Sequence, residues 1–171
     1  MTIEGVNFSN ASFVEIKQAF GLMESQSHPF LRDEEGNIVL FRGQKQEQDT
    51  LEQAIYDGAV YGPGAYLGNS PTSISAYAYQ TGCVGVWKLP NIDEQRELRI
   101  HRFKKPPKDE TSGIDVFPTR FTIAARLMCF TGLREDKGLK PYWVMLRDPE
   151  IIRKTTLVAR LGLSVIGTPR P

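Results

Sequence analysis

The sequence predicts an α+β fold, and three observations carry this prediction. Short runs rich in β-branched and aromatic residues, at 38–41 and 142–146, are typical of buried strands. A serine or threonine followed three residues later by glutamate or glutamine, at Ser12 and Thr50, is the capping-box pattern of a helix start. The length of 171 residues suits one domain with one core. Short strands interleaved with a few short helices therefore predict a mixed architecture.

In the first part of the chain, apolar residues recur at helical spacing after Ser12, which predicts a helix that packs on the core. The residues of this stripe are Phe13, Ile16, Ala19, Phe20 and Met23. Residues 33–37 predict a turn, and residues 38–41 predict a strand that ends at Arg42-Gly43-Gln44. Thr50 opens a second short helix that ends at Gly58. The inward-facing residues of this second helix are expected to be Leu51, Ala54 and Ile55.

The rest of the chain alternates predicted strands with polar connections. The predicted strands are 61–67, 83–89 (ended by Pro90), the half-exposed 97–103 and 142–146, with 151–163 as a final strand or helix. A further helix is predicted from Pro71 to about Gln80, because proline suits the first helical position. The polar segment 104–118 is interpreted as a loop, whereas 120–130 fits either a helix or a strand.

Composition restricts the classes of function. The net charge of +1 argues against an extended nucleic-acid surface, which needs a basic face. The basic run at 99–108 is interpreted as a solvated loop, and a local basic patch stays open as the alternative. Cys83 and Cys129 lack metal-ligand spacing and are predicted to be small core residues in a reducing compartment. His28 and His101 are predicted to be ordinary surface residues, and no metal site is predicted.

The sequence also bears on location. No apolar stretch approaches the length of a membrane span. The N-terminal residues lack the basic and apolar regions of a cleaved signal peptide. We therefore expect a cytoplasmic protein, or one delivered to the cytosol of a target cell without a cleaved signal.

The segment 62–77 carries most of the chemistry. Its glycines let the backbone approach a ligand closely, and Tyr66 offers a flat ring and a hydroxyl. The helix start after Ser70 suits a planar or anionic ligand. Ser70 is also a good N-cap residue, and capping alone is the alternative interpretation of this serine.

Together these segments resemble the ADP-ribosyltransferase superfamily, most closely its poly(ADP-ribose) polymerase-like branch. In that family one strand delivers a first signature residue followed by glycine, and Arg42-Gly43 is similar here. A later strand carries Gly-x-Gly-x-Tyr-Phe, which residues 62–67 resemble, and a serine-rich helix with tyrosine follows it, as at 71–79. A third strand near the C-terminus bears a catalytic glutamate, and residues 142–146 resemble that strand.

The resemblance implies one domain over residues 1–171, with an N-terminal helical region at 1–37 and a core at 38–160. It implies two packed, mostly antiparallel sheets with a few short helices around a cleft for NAD. The residues implied to bind NAD are Arg42, Gly43, Tyr61, Gly64, Tyr66, Ser70, Ser73 and Tyr77. The residues implied to be catalytic are Arg42, Tyr66 and Tyr142.

The implied roles differ among these residues. Arg42 would brace phosphate or ribose through its fork of donors. The backbone of Gly43 would meet the cofactor amide. Tyr66 would stack on the nicotinamide ring, with Tyr61 or Tyr77 on its other face.

Two departures from the family pattern matter. Arg42 stands where the polymerase-like branch has histidine, and it resembles the first-strand arginine of the toxin-like branch. No acid stands at the start of the 142–146 strand, so the third role is open. Position suggests Tyr142, whereas the nearest acids are Glu135, Asp136, Asp148 and Glu150.

The resemblance implies a mono-ADP-ribosyltransferase that uses NAD and modifies a macromolecule, with protein as the preferred acceptor and nucleic acid still open. A single small domain is similar to bacterial effectors or toxins. Two alternatives stay open, an NAD glycohydrolase and a catalytically degenerate relative that acts as a binding module. A chain-extending polymerase is disfavoured, because the family associates elongation with the absent glutamate.

Overall fold

The computed structural model describes residues 13–24, 30–45, 47–55, 62–70, 74, 83–90, 92–101, 112–118 and 142–162. Over these residues the fold is α+β, as predicted. The strands are β1 Met23–Glu24, β2 Leu31–Arg32, β3 Ile38–Gly43, β4 Ala65–Gly68, β5 Cys83–Leu89, β6 Leu98–Ile100, β7 Ile114–Pro118, β8 Tyr142–Leu146 and β9 Thr156–Gly162. The helices are α1 Phe13–Phe20, α2 Glu94–Glu97 and α3 Pro149–Lys154, with a 3₁₀ helix at Leu51–Ala54.

The strands within these ranges join in one curled sheet, so the expectation of two separate sheets is wrong. One half contains β3, β5 and β9, and the other contains β4, β8, β7 and β6. The β1–β2 hairpin is attached to the beginning of β3. A single residue pair, Phe41 with Gly68, connects the two halves through β3 and β4. All of these strand pairs are antiparallel except β6 with β7, so the predicted mostly antiparallel arrangement is confirmed.

The described pairing between β3 and β4 is limited to this connecting pair. On its other side β3 stays paired with β5 along its whole length, from Ile38 to Gly43. Towards β4, the described pairing stops at Phe41 and Gly68. Continued register would set Gly43 opposite Tyr66, two residues further along each strand, but the two strands are not paired there. The predicted signature segments therefore lie where the pairing between two neighbouring strands ends.

One face of the sheet carries a buried apolar cluster. The sheet residues of this cluster are Ile38, Leu40, Ala65, Leu67, Trp87, Leu89, Ile114, Val116, Tyr142, Val144 and Leu146. Leu51 of the 3₁₀ helix and Ile151 and Ile152 of α3 belong to the same cluster. Because side chains alternate along a strand, this cluster defines which face each neighbouring residue occupies.

Several predicted elements are confirmed. The strands at β3, β4, β5 and β8 form where expected, and Pro90 follows the end of β5. A turn at 33–37 is confirmed, with the Asp33 side chain accepting from the backbone N–H of Glu35 and Asn37. The final segment contains both predicted possibilities, since α3 is followed by β9.

Other element predictions are wrong. The predicted loop at 104–118 includes β7, because its last five residues pair with β6 on one side and β8 on the other. Ile55 is 42% exposed rather than inward-facing, because the 3₁₀ helix ends at Ala54. Met23 is exposed in β1 instead of extending α1. The predicted helix at 71–80, apart from Ile74, and the segment 120–130 lie outside the described residues.

Within the described stretches, no helix is long and apolar enough to cross a membrane. Among the same residues, no group of three or more His, Cys, Asp or Glu side chains could hold a metal ion.

Candidate functional site

The three strands that carry the resemblance are consecutive neighbours in the sheet. β3 adjoins β4 at the Phe41–Gly68 pair, and β4 adjoins β8 along its whole length. Tyr66 is paired with Met145 of β8, and Gly68 is paired with Trp143. Segments that are far apart in the chain are thereby brought to one part of the sheet.

Tyr66 is half-buried, and its hydroxyl donates a hydrogen bond of 2.7 Å to the backbone carbonyl of Gly62. This bond fixes the ring against the turn that precedes β4. Gly62 has a φ of 94°, which favours glycine. Gly64 lies so close to β8 that a β-carbon there would stand 2.8 Å from the carbonyl oxygen of Leu146. Both glycines are thus needed by the backbone, and NAD binding by Gly64 stays a prediction.

Arg42 and Tyr66 leave their strands on opposite faces. Arg42 follows Leu40 by two positions, and Leu40 belongs to the apolar cluster. Tyr66 lies between Ala65 and Leu67, which also belong to it. Alternation therefore sets Arg42 on the face of the cluster and Tyr66 on the other face. The structure places Arg42-Gly43 and Tyr66 on neighbouring strands near the Phe41–Gly68 pair, but it places the side chains of Arg42 and Tyr66 on opposite faces of the sheet.

The guanidinium group of Arg42 is partly buried. Its Nη1 donates to Gln48 Oε1 at 2.9 Å, and its Nε has no hydrogen-bond partner. In the described part of the chain no carboxylate contacts Arg42. Burial lowers the pKa of Arg42, but a guanidinium remains protonated in proteins. Arg42 is therefore a partly desolvated cation without a described counter-ion.

Gln44, which ends the Arg42-Gly43-Gln44 segment, forms a buried polar contact over Gly85. Its Oε1 accepts from the indole Nε1 of Trp87 at 2.9 Å, and its Nε2 donates to the backbone carbonyl of Gln48 at 2.9 Å. A β-carbon at Gly85 would stand 2.2 Å from Gln44 Oε1 and 2.6 Å from Trp87 Nε1. Because Gly85 has no side chain, the side chains of Gln44 and Trp87 can occupy the space above it.

We expect Gly85→Ala to lower the free energy of unfolding by about 1–3 kcal/mol, because the methyl group would displace the Gln44 side chain. Urea denaturation followed by tryptophan fluorescence would measure the loss. Trp87→Phe is the matched variant, since it removes the indole donor and adds no atom at Gly85. An unchanged unfolding midpoint for Gly85→Ala would contradict the described packing.

Tyr142 lies in an apolar environment, and its catalytic role stays a prediction. Its side chain is 9% exposed and belongs to the apolar cluster. Its backbone N–H donates to Asn69 Oδ1 at 2.8 Å, and its carbonyl accepts from the Asn69 N–H at 3.2 Å. This pair of bonds joins the end of β4 to the start of β8, and Ser70, the next residue after Asn69, is buried. The amide of Asn69 is a positioning group that sequence reasoning missed.

The described acids near β8 have structural partners. Asp148 caps α3, with its side chain accepting from the backbone N–H of Glu150 at 2.9 Å. The Glu150 side chain is exposed and forms an ion pair with Arg153. Glu135 and Asp136 lie outside the described residues, as do Tyr61, Ser73 and Tyr77 of the predicted NAD site. Which of these acids would replace the family glutamate stays a prediction.

Comparison with known proteins leaves the family open. No family model matches this chain, and neither the curated proteins nor the solved structures give a significant match. The chemistry of the site is therefore inferred from its own residues.

A second buried polar group was missed by sequence reasoning. Asp115 on β7 is fully buried and accepts hydrogen bonds from Arg99, His101 and Arg147. The expectation that Arg99 lies in a solvated loop and that His101 is an ordinary surface residue is wrong, because both lie against this carboxylate. In the sequence, an acid within the otherwise apolar run 114–117 is the feature that could have indicated a buried polar group.

Proposed function

We propose that this chain is an NAD-dependent mono-ADP-ribosyltransferase that modifies a macromolecule, with protein as the proposed class of acceptor. The observation that supports the proposal is the adjacency of β3, β4 and β8. These strands carry Arg42-Gly43, Tyr66 and Tyr142–Leu146, the three segments that resemble the family. The strands β3 and β4 are not paired beside Gly43 and Tyr66, and the proposal places the dinucleotide there.

The reaction breaks the bond between the nicotinamide nitrogen and C1′ of the ribose. The bonding electrons leave with nicotinamide, while a nucleophile of the acceptor forms a new bond to C1′ and loses a proton. Positive charge develops on the ribose, so catalysis requires a fixed leaving group and a fixed ribose. In our proposal the ring of Tyr66, held by Gly62, positions the nicotinamide against the backbone of Gly43.

Arg42 is assigned to the phosphate groups. Its charge is partly desolvated and contacts no described carboxylate, so it suits an anionic oxygen. Because Arg42 and Tyr66 lie on opposite faces, the proposal requires the two parts of the dinucleotide to be held on opposite faces of the sheet. A dinucleotide has its nicotinamide ring and its diphosphate at different positions along the molecule, which suits this arrangement.

A second candidate is a degenerate relative that binds ADP-ribose without transferring it. The observation that favours it is the engagement of Asp148 and Glu150, two of the acids nearest to β8 in the sequence, in contacts of α3. An NAD glycohydrolase, with water as the acceptor, would use the same pocket as the transferase.

The test measures nicotinamide release from NAD and, by mass spectrometry, ADP-ribose adducts in a lysate supplied with NAD and the protein. We expect adducts with the wild-type chain, and a loss of about 10²–10³-fold in rate for Arg42→Ala and for Tyr66→Ala. Arg153→Ala is the matched arginine control, since Arg153 is exposed and pairs with Glu150.

Each alternative has its own outcome. Rapid nicotinamide release without adducts would replace the transferase by a glycohydrolase. ADP-ribose binding with neither release nor adducts would favour the degenerate relative. Full activity of folded Arg42→Ala and Tyr66→Ala variants would contradict the proposed site.

A further inference from the structure

Arg42 has a counterpart two strands away. Arg42 on β3 is paired with Gly85 on β5, and Gly85 is paired with Arg160 on β9. Paired residues in neighbouring strands present their side chains on the same face. Neighbouring strands lie about 4.8 Å apart, so the backbones of the two arginines are separated by about 10 Å. The space directly over Gly85 is occupied by the side chains of Gln44 and Trp87, so a ligand would meet the two guanidinium groups beyond this network.

Gln48 connects the two guanidinium groups. Its side-chain Oε1 accepts from Arg42 Nη1 at 2.9 Å, and its backbone carbonyl accepts from Arg160 Nη2 at 3.4 Å. Both arginines therefore reach the same residue from opposite sides of Gly85. The backbone carbonyl of Gln48 also accepts from Gln44 Nε2, which fixes its position. The oxygens of one neutral residue thus contact two cations.

The electrostatics of this site favour an anion. Arg42 contacts no carboxylate in the described part of the chain, and its Nε lacks a hydrogen-bond partner. Burial raises the pKa of the neighbouring Cys83 thiol, and the positive charge of Arg160 opposes that rise. The field of Arg160 therefore extends over this end of β5. Two guanidinium forks on one face of the sheet match the oxygens of phosphate groups.

We propose that Arg42 and Arg160 form a two-arginine subsite for the diphosphate of a nucleotide, with Arg160 as a binding residue not identified from the sequence. The side-chain oxygen of Gln48 stands where a phosphate oxygen would accept from Arg42. This inference rests on the proposed function for the identity of the nucleotide, an ADP-ribosyl compound. The subsite would bind the diphosphate whether or not the chain breaks a bond in the nucleotide.

The test is calorimetric binding of ADP-ribose, pyrophosphate and adenosine to the full chain. We expect Arg160→Ala to weaken ADP-ribose binding by about tenfold or more, because the variant removes charge-assisted hydrogen bonds to the phosphate groups. Arg153→Ala should leave it unchanged. Pyrophosphate should compete with ADP-ribose, whereas adenosine should not.

Two further variants keep the test decisive if Arg160→Ala does not fold. Arg160→Lys keeps the charge but loses the fork, and it should weaken ADP-ribose binding while the fold survives. Gln48→Glu would place a carboxylate against Arg42 and should weaken binding by competing with the phosphate groups. Equal ADP-ribose affinity of wild type, Arg160→Lys and Gln48→Glu would overturn the subsite.

The result of this binding test can be distinguished from the result of the test of the proposed reaction. ADP-ribose binding that depends on Arg160, without nicotinamide release from NAD, would support the subsite and remove the transferase. Nicotinamide release with a KM for NAD that Arg160→Lys and Gln48→Glu leave unchanged would support NAD chemistry and overturn the subsite.

Discussion

Replacing Asp115 with asparagine is expected to lower the free energy of unfolding by about 3–5 kcal/mol, because the variant leaves a buried cation without its partner. The Arg147 side chain is fully buried and its Nε donates to Asp115 Oδ2 at 2.6 Å. Arg99 Nε donates to Asp115 Oδ1 at 2.8 Å, and His101 Nε2 lies 2.8 Å from the same oxygen. Asparagine keeps the volume of the side chain but cannot compensate these charges. The loss would be a large share of the roughly 5–15 kcal/mol typical of a whole domain.

The same contacts give a pH dependence. Burial by itself would raise the pKa of Asp115, but hydrogen bonds from Arg99, His101 and Arg147 outweigh it and hold that pKa below its usual range. A carboxyl whose pKa is lower in the folded chain stabilises the fold above the unfolded pKa of about 3.9. That stabilisation is lost as the pH falls from about 5 through 3.9 towards the folded pKa. Asp115→Asn should lack this part of the acid transition.

Urea denaturation at pH 7 and at several pH values between about 3 and 6 would measure both effects, since that window spans the unfolded pKa. Glu150→Ala is the control, because it removes an exposed ion pair worth about 0.2–1 kcal/mol. If Asp115→Asn unfolds at the same urea concentration as Glu150→Ala, the carboxylate does not have this structural role.

The second large effect is expected at Gly64, where alanine should lower the free energy of unfolding by about 3 kcal/mol or more. The added β-carbon would lie 2.8 Å from the Leu146 carbonyl oxygen, a backbone atom of the paired strand β8. Relief of this collision requires β4 and β8 to move apart. In addition, the φ of 157° at Gly64 would strain the backbone of an alanine by about 1–3 kcal/mol. The variant therefore disturbs the strand pair that positions Tyr66.

Gly36→Ala is the matched control for this prediction. Gly36 also has a positive φ, of 85°, but a β-carbon there would meet no atom within 4 Å. It should therefore show the cost of the backbone conformation without a collision. Thermal and urea unfolding of the two variants would compare them. A Gly64→Ala variant as stable as Gly36→Ala would mean that the glycine is not required by packing, and a ligand-contact role would gain weight.

Two aspartates differ in how far along the chain their partners lie. The capping role of Asp148 at the start of α3 involves neighbours in the chain, although the sequence analysis named Asp148 only among the nearest acids to the 142–146 strand. The role of Asp115 depends on residues 14 to 32 positions away, which only strand pairing brings together. No local pattern reports such distant partners.

Arg42 and Tyr66 illustrate the same limit within the candidate site. Their strands, β3 and β4, were predicted from short apolar runs and from the glycine-rich turn, and both are confirmed. The order of the strands and their register set the two side chains on opposite faces, and local sequence patterns contain no information on that register. Register depends on which residues of distant segments pair, and a shift of one position would exchange the faces.

The chain by itself determined its class as an α+β protein, the positions of its main strands and the glycine-rich turn before Tyr66. These features follow from local preferences of the backbone and from the spacing of apolar residues. Tertiary structure alone decided that the halves meet at Phe41 and Gly68, that Arg160 lies across Gly85 from Arg42, and that Asp115 is enclosed by cations. The physical reason is that burial and hydrogen bonding between strands act on residues that are far apart in the chain. Such contacts produce no periodic or local pattern in the sequence.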